Sequence, residues 1–475
     1  RDVPRNPVGD VERAGRSSVV GHGCVGAGRG VPADGARSPA GRQVFVETDA
    51  SRKDNRWTWL PSLYFAEGLP FVAVMTVSVI MYKRLDISNT EIAFYTSWLY
   101  LPWVIKPLWS PVVDILRTRR FWIVAMQLLV GAGFATVALC IQADNFFRYS
   151  LAAFWLIAFS SATHDIAADG FYILALSDHE QAWFVGIRNT FFRLAMIAGQ
   201  GLLVMIAGFL ETETNDVQLS WSIVFLLLAG FFILLFAWHR QVLPRPGPDV
   251  IGTAESLRSL RAKFVLTFVA FFRKAHIGKV IAFLLLYRVA EAQLVKLVPP
   301  FLLDDRSLGG LGLATSDVGF AYGTVGVLML TLGGLLGGFL AARNGLRYWL
   351  WWMVAAINVP NAVYVLLALL QPDSVLLVTV AVGVEQFGYG LGFVAFTLYM
   401  LYVSRGNHST AHFAICTGFM ALGMMLPGMA SGWLQAMLGY PGFFTWVLLV
   451  TIPSFIVVAL IPLDPDFGRE KSEVS

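Results

Sequence analysis

Charge is scarce in this sequence. Asp, Glu, Lys and Arg make up only 14% of its 475 residues, against about 25% in soluble domains. Cysteine is scarcer still: Cys24, Cys140 and Cys416 lie far apart, which argues against a disulfide framework or a metal cluster. No GxxxxGKS or GxxxxGKT segment occurs, so pumping driven by ATP at a P-loop is not expected. What is abundant is apolar. Hydrophobic residues reach 56%, with 36 Phe and 15 Trp, and the mean hydropathy is +0.64. No single soluble core buries that much apolar surface, and the chain reads as an all-α polytopic membrane protein. The net charge of +4 is then no argument for nucleic acid, and none is expected as a partner.

Residues 1–55 are a different material, rich in Gly, Arg, Pro and Val and without apolar periodicity. They are expected to be a disordered tail or sequence translated from a misplaced start. From Trp57 the chain becomes a series of apolar runs: 57–81, 91–111, 121–142, 148–176, 181–210, 219–239, 277–303, 314–342, 346–370, 374–403, 409–438 and 440–462. Each is long enough for a transmembrane helix of roughly 20 residues. Twelve crossings are expected. The run "FVLTFVAFF" (264–272) is too short to span, and basic residues flank it. Residues 254–275 therefore read as an amphipathic helix on the membrane surface. Lys and Arg concentrate in alternate loops, including Arg117, Arg119 and Arg120 and the segment 240–274. By the positive-inside rule both termini are cytoplasmic.

The basic segment divides the twelve runs into sixes, and the sixes echo each other. "LYFAEG" (63–68) parallels "LYRVAEA" (286–292), and 89–122 parallels 315–349 in layout. Two pseudo-symmetric six-helix halves suggest a major facilitator fold. The expected organisation is a tail (1–55), a first half (56–240), a cytoplasmic linker (241–276), a second half (277–463) and a short cytoplasmic tail (464–475).

A charge at the bilayer centre costs roughly 2.5–3.5 kcal/mol even on lenient scales, so intramembrane charges mark function or a fixed ion pair. They fall in the first and fourth helix of each half: Glu67, then Asp165 and Asp169, then Glu291, then Glu385. Glu67, Asp165, Glu291 and Glu385 are the proton-coupling candidates, because desolvation favours protonation of a buried acid. Lys106, His164, Arg193, Arg288, Gln293, Lys296 and Gln386 are the substrate-binding candidates. If the fourth and fifth helices form a hairpin turning near Asp178 and His179, depth matches Asp169 with Arg188 and Asp165 with Arg193. A structural lock and a direct role in transport are both open for these pairs. Asp169 and Arg188, with Asp114, Arg117 and Arg120 of the turn "PLWSPVVDILRTRR" (107–120), are the gating and ion-pair candidates.

The motifs then resemble a known family. "SSATHDIAADGFY" (160–172) resembles the SATQDIALDAYR signature of the AmpG-type muropeptide permeases, a major facilitator branch that also holds the acetyl-CoA transporters. "IKPLWSPVVD" (105–114), "VGIRNTF" (185–191), "VEQFGYGLGFVAFTLYM" (384–400) and "STAHFAICTGFMALG" (409–423) are similar to further segments of that family, in order. The resemblance covers about residues 57–462. It departs at His164 and His412, where the family has Gln, and at Tyr172, where it has Arg. It implies a proton-coupled importer of anhydromuramyl sugars and peptides, or a related amino-sugar solute, and the chain is expected to be a monomer in a bacterial inner membrane. A carrier of another solute on the same fold, such as an oligosaccharide or an acetyl-CoA-like molecule, or an exporter, is the alternative. A sensor is more remote. So is an intramembrane protease, because Asp165 and Asp169 share one helix and "GYGLG" (388–392) lacks the Asp of a GxGD segment. No enzyme activity, cofactor or metal is expected.

Overall fold

The computed structural model describes residues 56–246, 249, 265–406, 409–464 and 467. The expected N-terminal tail, residues 254–264 of the expected surface helix and the expected C-terminal tail apart from Asp464 and Phe467 lie outside the described residues. Among those described there is no strand. In lipid every backbone group must be satisfied within its own element, and helices achieve this.

The helices are α1 (Arg56–Arg84), α2 (Asn89–Trp98), α3 (Leu101–Leu116), α4 (Arg119–Cys140), α5 (Phe146–Ala175), α6 (His179–Thr214) and α7 (Val217–Val242). After them come α8 (265–272), α9 (Ile277–Leu286), α10 (Val289–Leu303), α11 (Thr315–Asn344), α12 (Leu346–Leu370), α13 (Val375–Ser404), α14 (Ser409–Leu449) and α15 (Ile452–Leu460). Nine stretches among the described residues are long and apolar enough to cross a membrane, against the twelve runs read from the sequence. The difference lies where helices break. The run 91–111 is split between α2 and α3, and the run 277–303 between α9 and α10, while 411–460 counts as one stretch of 50 residues. That stretch is long enough to cross twice, and it leaves helical geometry at Gly439 (φ 64°, ψ 174°).

Short polar turns set the helix starts. The hydroxyls of Ser88, Thr118, Ser177 and Ser374 and the carboxylate of Asp216 each accept from the backbone N–H three residues on. They satisfy donors that lipid cannot. Ser177 forms a full capping box with Glu180 at the α5–α6 hairpin. Wide π turns occupy 73–77 in α1, 197–203 in α6 and 319–326 in α11. The short α8 docks through Phe268 and Phe271 on the core of the later helices, with Val265 and Leu266 exposed.

Polarity is inverted relative to a soluble protein. Leu139, Leu335, Phe339 and Leu376 are exposed, while Glu67, Arg288, Glu291, Lys296 and Glu385 are buried. Such a surface suits lipid, and its interior holds the charges.

Helices α1–α7 pack mainly among themselves, as do α9–α15, and α2 with α14 and α6 with α11 make the principal seams between the two sets. Both seams depend on missing side chains. A Cβ on Gly323 would lie 1.9 Å from the Gln200 carbonyl oxygen, on Gly208 2.3 Å from the Ser316 nitrogen, and on Gly432 2.1 Å from the Asn89 carbonyl oxygen. Two acids tie the same end together. Asp304 at the end of α10 pairs with Lys83 and accepts from Asn89 (3.1 Å) and Tyr440 (2.5 Å). Glu211 of α6 pairs with Arg84 (3.1 Å) and accepts from Trp221 (2.9 Å) and Thr315 (2.6 Å). This end of the bundle is therefore closed by backbone contact and by two charged hubs.

Gly432→Val should prise α2 from α14. The expected result is faster maleimide labelling of a cysteine placed at Thr90 in an otherwise cysteine-free chain. Unchanged labelling would show that the seam accommodates the side chain.

Candidate functional site

A cavity of about 310 Å³ opens between α1, α3, α5 and α6, lined by Glu67, Asp165 and Arg188 with Phe71, Trp103 and Phe192. Its charges form one cluster. Glu67, Asp165 and Asp169 each bring a carboxylate oxygen within 4.8 Å of the others. Lys106 Nζ donates to Asp165 Oδ2 at 2.6 Å. Arg188 Nη2 lies 2.6 Å from Asp169 Oδ1, an ion contact without the alignment of a hydrogen bond. The Arg188 guanidinium also sits over the rings of Tyr64 (4.6 Å) and Tyr172 (5.8 Å). Glu67 has a buried carboxylate oxygen with no hydrogen-bond partner. The cluster therefore holds three acids and two cations. Two of the acids are paired with Lys106 and Arg188.

Asp169 meets Arg188, but Asp165 meets Lys106 of α3 and not Arg193, which corrects the hairpin expectation. Depth matching in a hairpin fixes height and not direction. Residues 188 and 193 are five apart and so point about 140° away from each other around the helix. Arg193 instead lies beside Gly334 of α11.

The second set of helices carries its own polar group. Glu385 accepts from Tyr364 Oη (2.9 Å) and Gln386 Nε2 (3.0 Å). Arg288 donates to the Tyr389 hydroxyl and packs over the rings of Phe393 (4.8 Å) and Tyr389 (5.2 Å). Glu291 Oε2 and Arg288 Nε are buried without a hydrogen-bond partner. Gln293 accepts from Trp446 Nε1 at 3.1 Å. Lys296 donates to Thr96 Oγ1 of α2 at 2.9 Å. Among the described residues, none of Arg193, Arg288 and Lys296 has a carboxylate within ion-pair distance.

His164 faces α4 and not the cavity. Its Nε2 takes a hydrogen bond from Gln127 (3.0 Å), whose Oε1 accepts from His239 Nδ1 (3.0 Å), and His239 Nε2 is 2.9 Å from the Ser62 hydroxyl. The tautomers follow from this network. At the α3–α4 turn, Arg120 donates to the Arg240 and Leu243 carbonyls, and Arg117 lies over Phe121 (5.7 Å). The side chain of Asp114 lies outside the described residues. The start of α4 is capped by Asp249, which accepts from the backbone N–H groups of Arg119 (2.8 Å) and Arg120 (3.2 Å).

Sequence reading missed Asp249, Asp304, Glu211 and the Gln127–His239 link. Asp304 and Glu211 sit at helix ends, where an acid reads as a solvated loop residue. The polar Gln127 and His239 in runs expected to span were the available signal for that link.

Residues 62–412 match the Major Facilitator Superfamily. The chain is similar to the anhydromuropeptide permease of Escherichia coli K12, 24% identical over 412 residues, covering 86% of this chain and 80% of that one. It is also similar to the putative transporter AmpG 4 of Rickettsia conorii, 22% identical over 421 residues, covering 86% and 96%. Among solved structures it resembles a bacterial homolog of the human lysosomal transporter Spinster in an inward-facing, unoccupied conformation. There the TM-score is 0.64 at 14% identity, covering 86% of this chain and 96% of that one. A D-xylose-proton symporter gives a TM-score of 0.58 at 13% identity, covering 86% and 97%. At such identities the likeness is one of fold. The chain belongs to the Major Facilitator Superfamily, and within it the resemblance is to the AmpG-type transporters.

Proposed function

We propose that the protein is a proton-coupled secondary transporter that brings muropeptide-like solutes, anhydromuramyl sugars and their peptides, into the cytoplasm by alternating access. Twelve crossings in two six-helix halves, 56–240 and 277–463, are joined by the linker 241–276. The chain works as a monomer in a bacterial inner membrane with both termini cytoplasmic. The end closed by Asp304 and Glu211 is then the outer one, and the cavity faces inward.

One observation carries the coupling: three carboxylates within 4.8 Å share only two cations, Lys106 and Arg188. The excess negative charge sits in a low-dielectric interior, where a proton is the least costly neutraliser. Glu67, which lacks an ion-pair partner among the described residues, is the carboxyl that carries it. Proton loss there leaves a bare carboxylate that competes for Lys106 and Arg188, so protonation and ion pairing on α1, α3, α5 and α6 change together. The similarity to the Escherichia coli anhydromuropeptide permease supports the solute class. The mixed cations and acids around the cavity suit a polar, partly charged solute.

Uptake of labelled anhydromuropeptide into energised right-side-out vesicles should be protonophore-sensitive. Glu67→Gln should abolish uphill accumulation and leave exchange of solute across the membrane within about threefold of native. Accumulation that survives this substitution would remove Glu67 from coupling. Asp165→Asn should lower uptake at least tenfold, because it frees Lys106 and removes a member of the cluster.

The ion pair itself gives a stability test. Lys106→Met alone leaves Asp165 uncompensated and should destabilise the protein by about 3 kcal/mol. Adding Asp165→Asn should recover most of that loss, read as thermal stability in detergent. Additive losses would mean that the pair is not coupled.

A further inference from the structure

Lys296 is the charge in this fold that is hardest to explain by packing. It lies on α10, in the seam where α10, α14 and α2 meet, and it is 1% exposed. No carboxylate lies within ion-pair distance of it among the described residues, and its ammonium donates to the neutral Thr96 Oγ1 at 2.9 Å. The Tyr100 ring lies 5.3 Å from its Nζ. An ammonium has three N–H donors, and a buried one without a counter-ion is strongly penalised unless something else satisfies it. On the same turn of α2, the Ser97 hydroxyl is buried with no hydrogen-bond partner. Gly428 lets the seam close tightly here: a Cβ there would lie 2.8 Å from Ser97 Oγ and 3.4 Å from Lys296 Cγ.

An ammonium with donors to spare, and an idle hydroxyl across Gly428 from the lysine's stem, make a donor set for a carboxylate once the seam parts. We infer that Lys296, with Ser97, is the subsite that reads an anionic group of the transported solute, and that Thr96 masks it in the closed seam. Thr96 and Ser97 belong to α2 and Lys296 to α10, so the subsite exists only across the seam between the two helix sets. A solute carboxylate competes with Thr96 for the ammonium, and the seam must loosen to admit it. The solute class is therefore one bearing a carboxylate, which deepens the transport reading above and rests on it.

The test measures binding to the detergent-solubilised full chain by three acids, each against its uncharged amide: an anhydromuramyl tripeptide, N-acetylmuramate and a hexuronate. The native chain should prefer the acid of at least one pair by tenfold or more. Lys296→Gln should reduce that preference to about one while the amide binds within threefold of native, and Lys296→Arg should restore it. Thr96→Val, which leaves the lysine in place, should tighten acid binding severalfold and leave the amide unchanged. A purely structural Lys296–Thr96 bond would give lower thermal stability and no gain in acid affinity. A native chain that prefers no acid overturns the proposal, as does a Lys296→Gln chain that keeps the preference. Failure of the muropeptide reading looks different: the tripeptide is ignored while N-acetylmuramate or the hexuronate binds with the same dependence on Lys296.

Discussion

A carboxylate kept from water in the middle of a membrane is tolerable only beside a cation or with a proton, and much of the interior follows from that requirement. Asp165 draws Lys106 inward from α3, and Asp169 draws Arg188 inward from α6. Those two pairs tie α5 to α3 and to α6, and the cavity lies between these helices and α1. Glu67 enters the same space with no cation of its own. The cluster thus gathers three carboxylates and two cations from four helices into one space.

The two helix sets treat their charges differently. In the first set Asp165 and Asp169 are ion-paired, and Glu67 lies beside them. In the second, Glu385 is held by a phenol and an amide, and Arg288 is held by aromatic faces. Neutral donors and ring faces stabilise a charge less than an opposite charge does, so the second set keeps its polar groups open to new partners. This is a division between a part held mainly by opposite charges and a part held by neutral donors and ring faces.

Much of the architecture was legible in the sequence, because apolar runs and their breaks report directly on membrane helices. The positions of Glu67, Asp165, Glu291 and Glu385 inside such runs were enough to mark them as buried charges. Which partner each acid meets was not legible. Lys106 and Asp165 are 59 residues apart, and the choice between Lys106 and Arg193 turns on helix rotation, which hydropathy does not encode. Asp304 and Glu211 were hidden for a related reason. An acid at a helix end looks solvated until the other helix set is laid against it. His164 shows the converse, since a polar residue beside the key acid proved to be bonded to α4.

The glycine seams have a consequence for how such a protein changes over generations. A contact made of absent side chains can be altered in one direction only, because every substitution at Gly208, Gly323 or Gly432 adds volume where backbone already stands. Lipid-facing positions such as Leu335 or Leu376 can exchange one apolar residue for another indefinitely. The seams have no such neutral alternatives. Adaptation to a new solute is therefore channelled to the polar groups of the interior, while the surfaces on which the two helix sets close act as a mutational ratchet that admits loosening but no refinement.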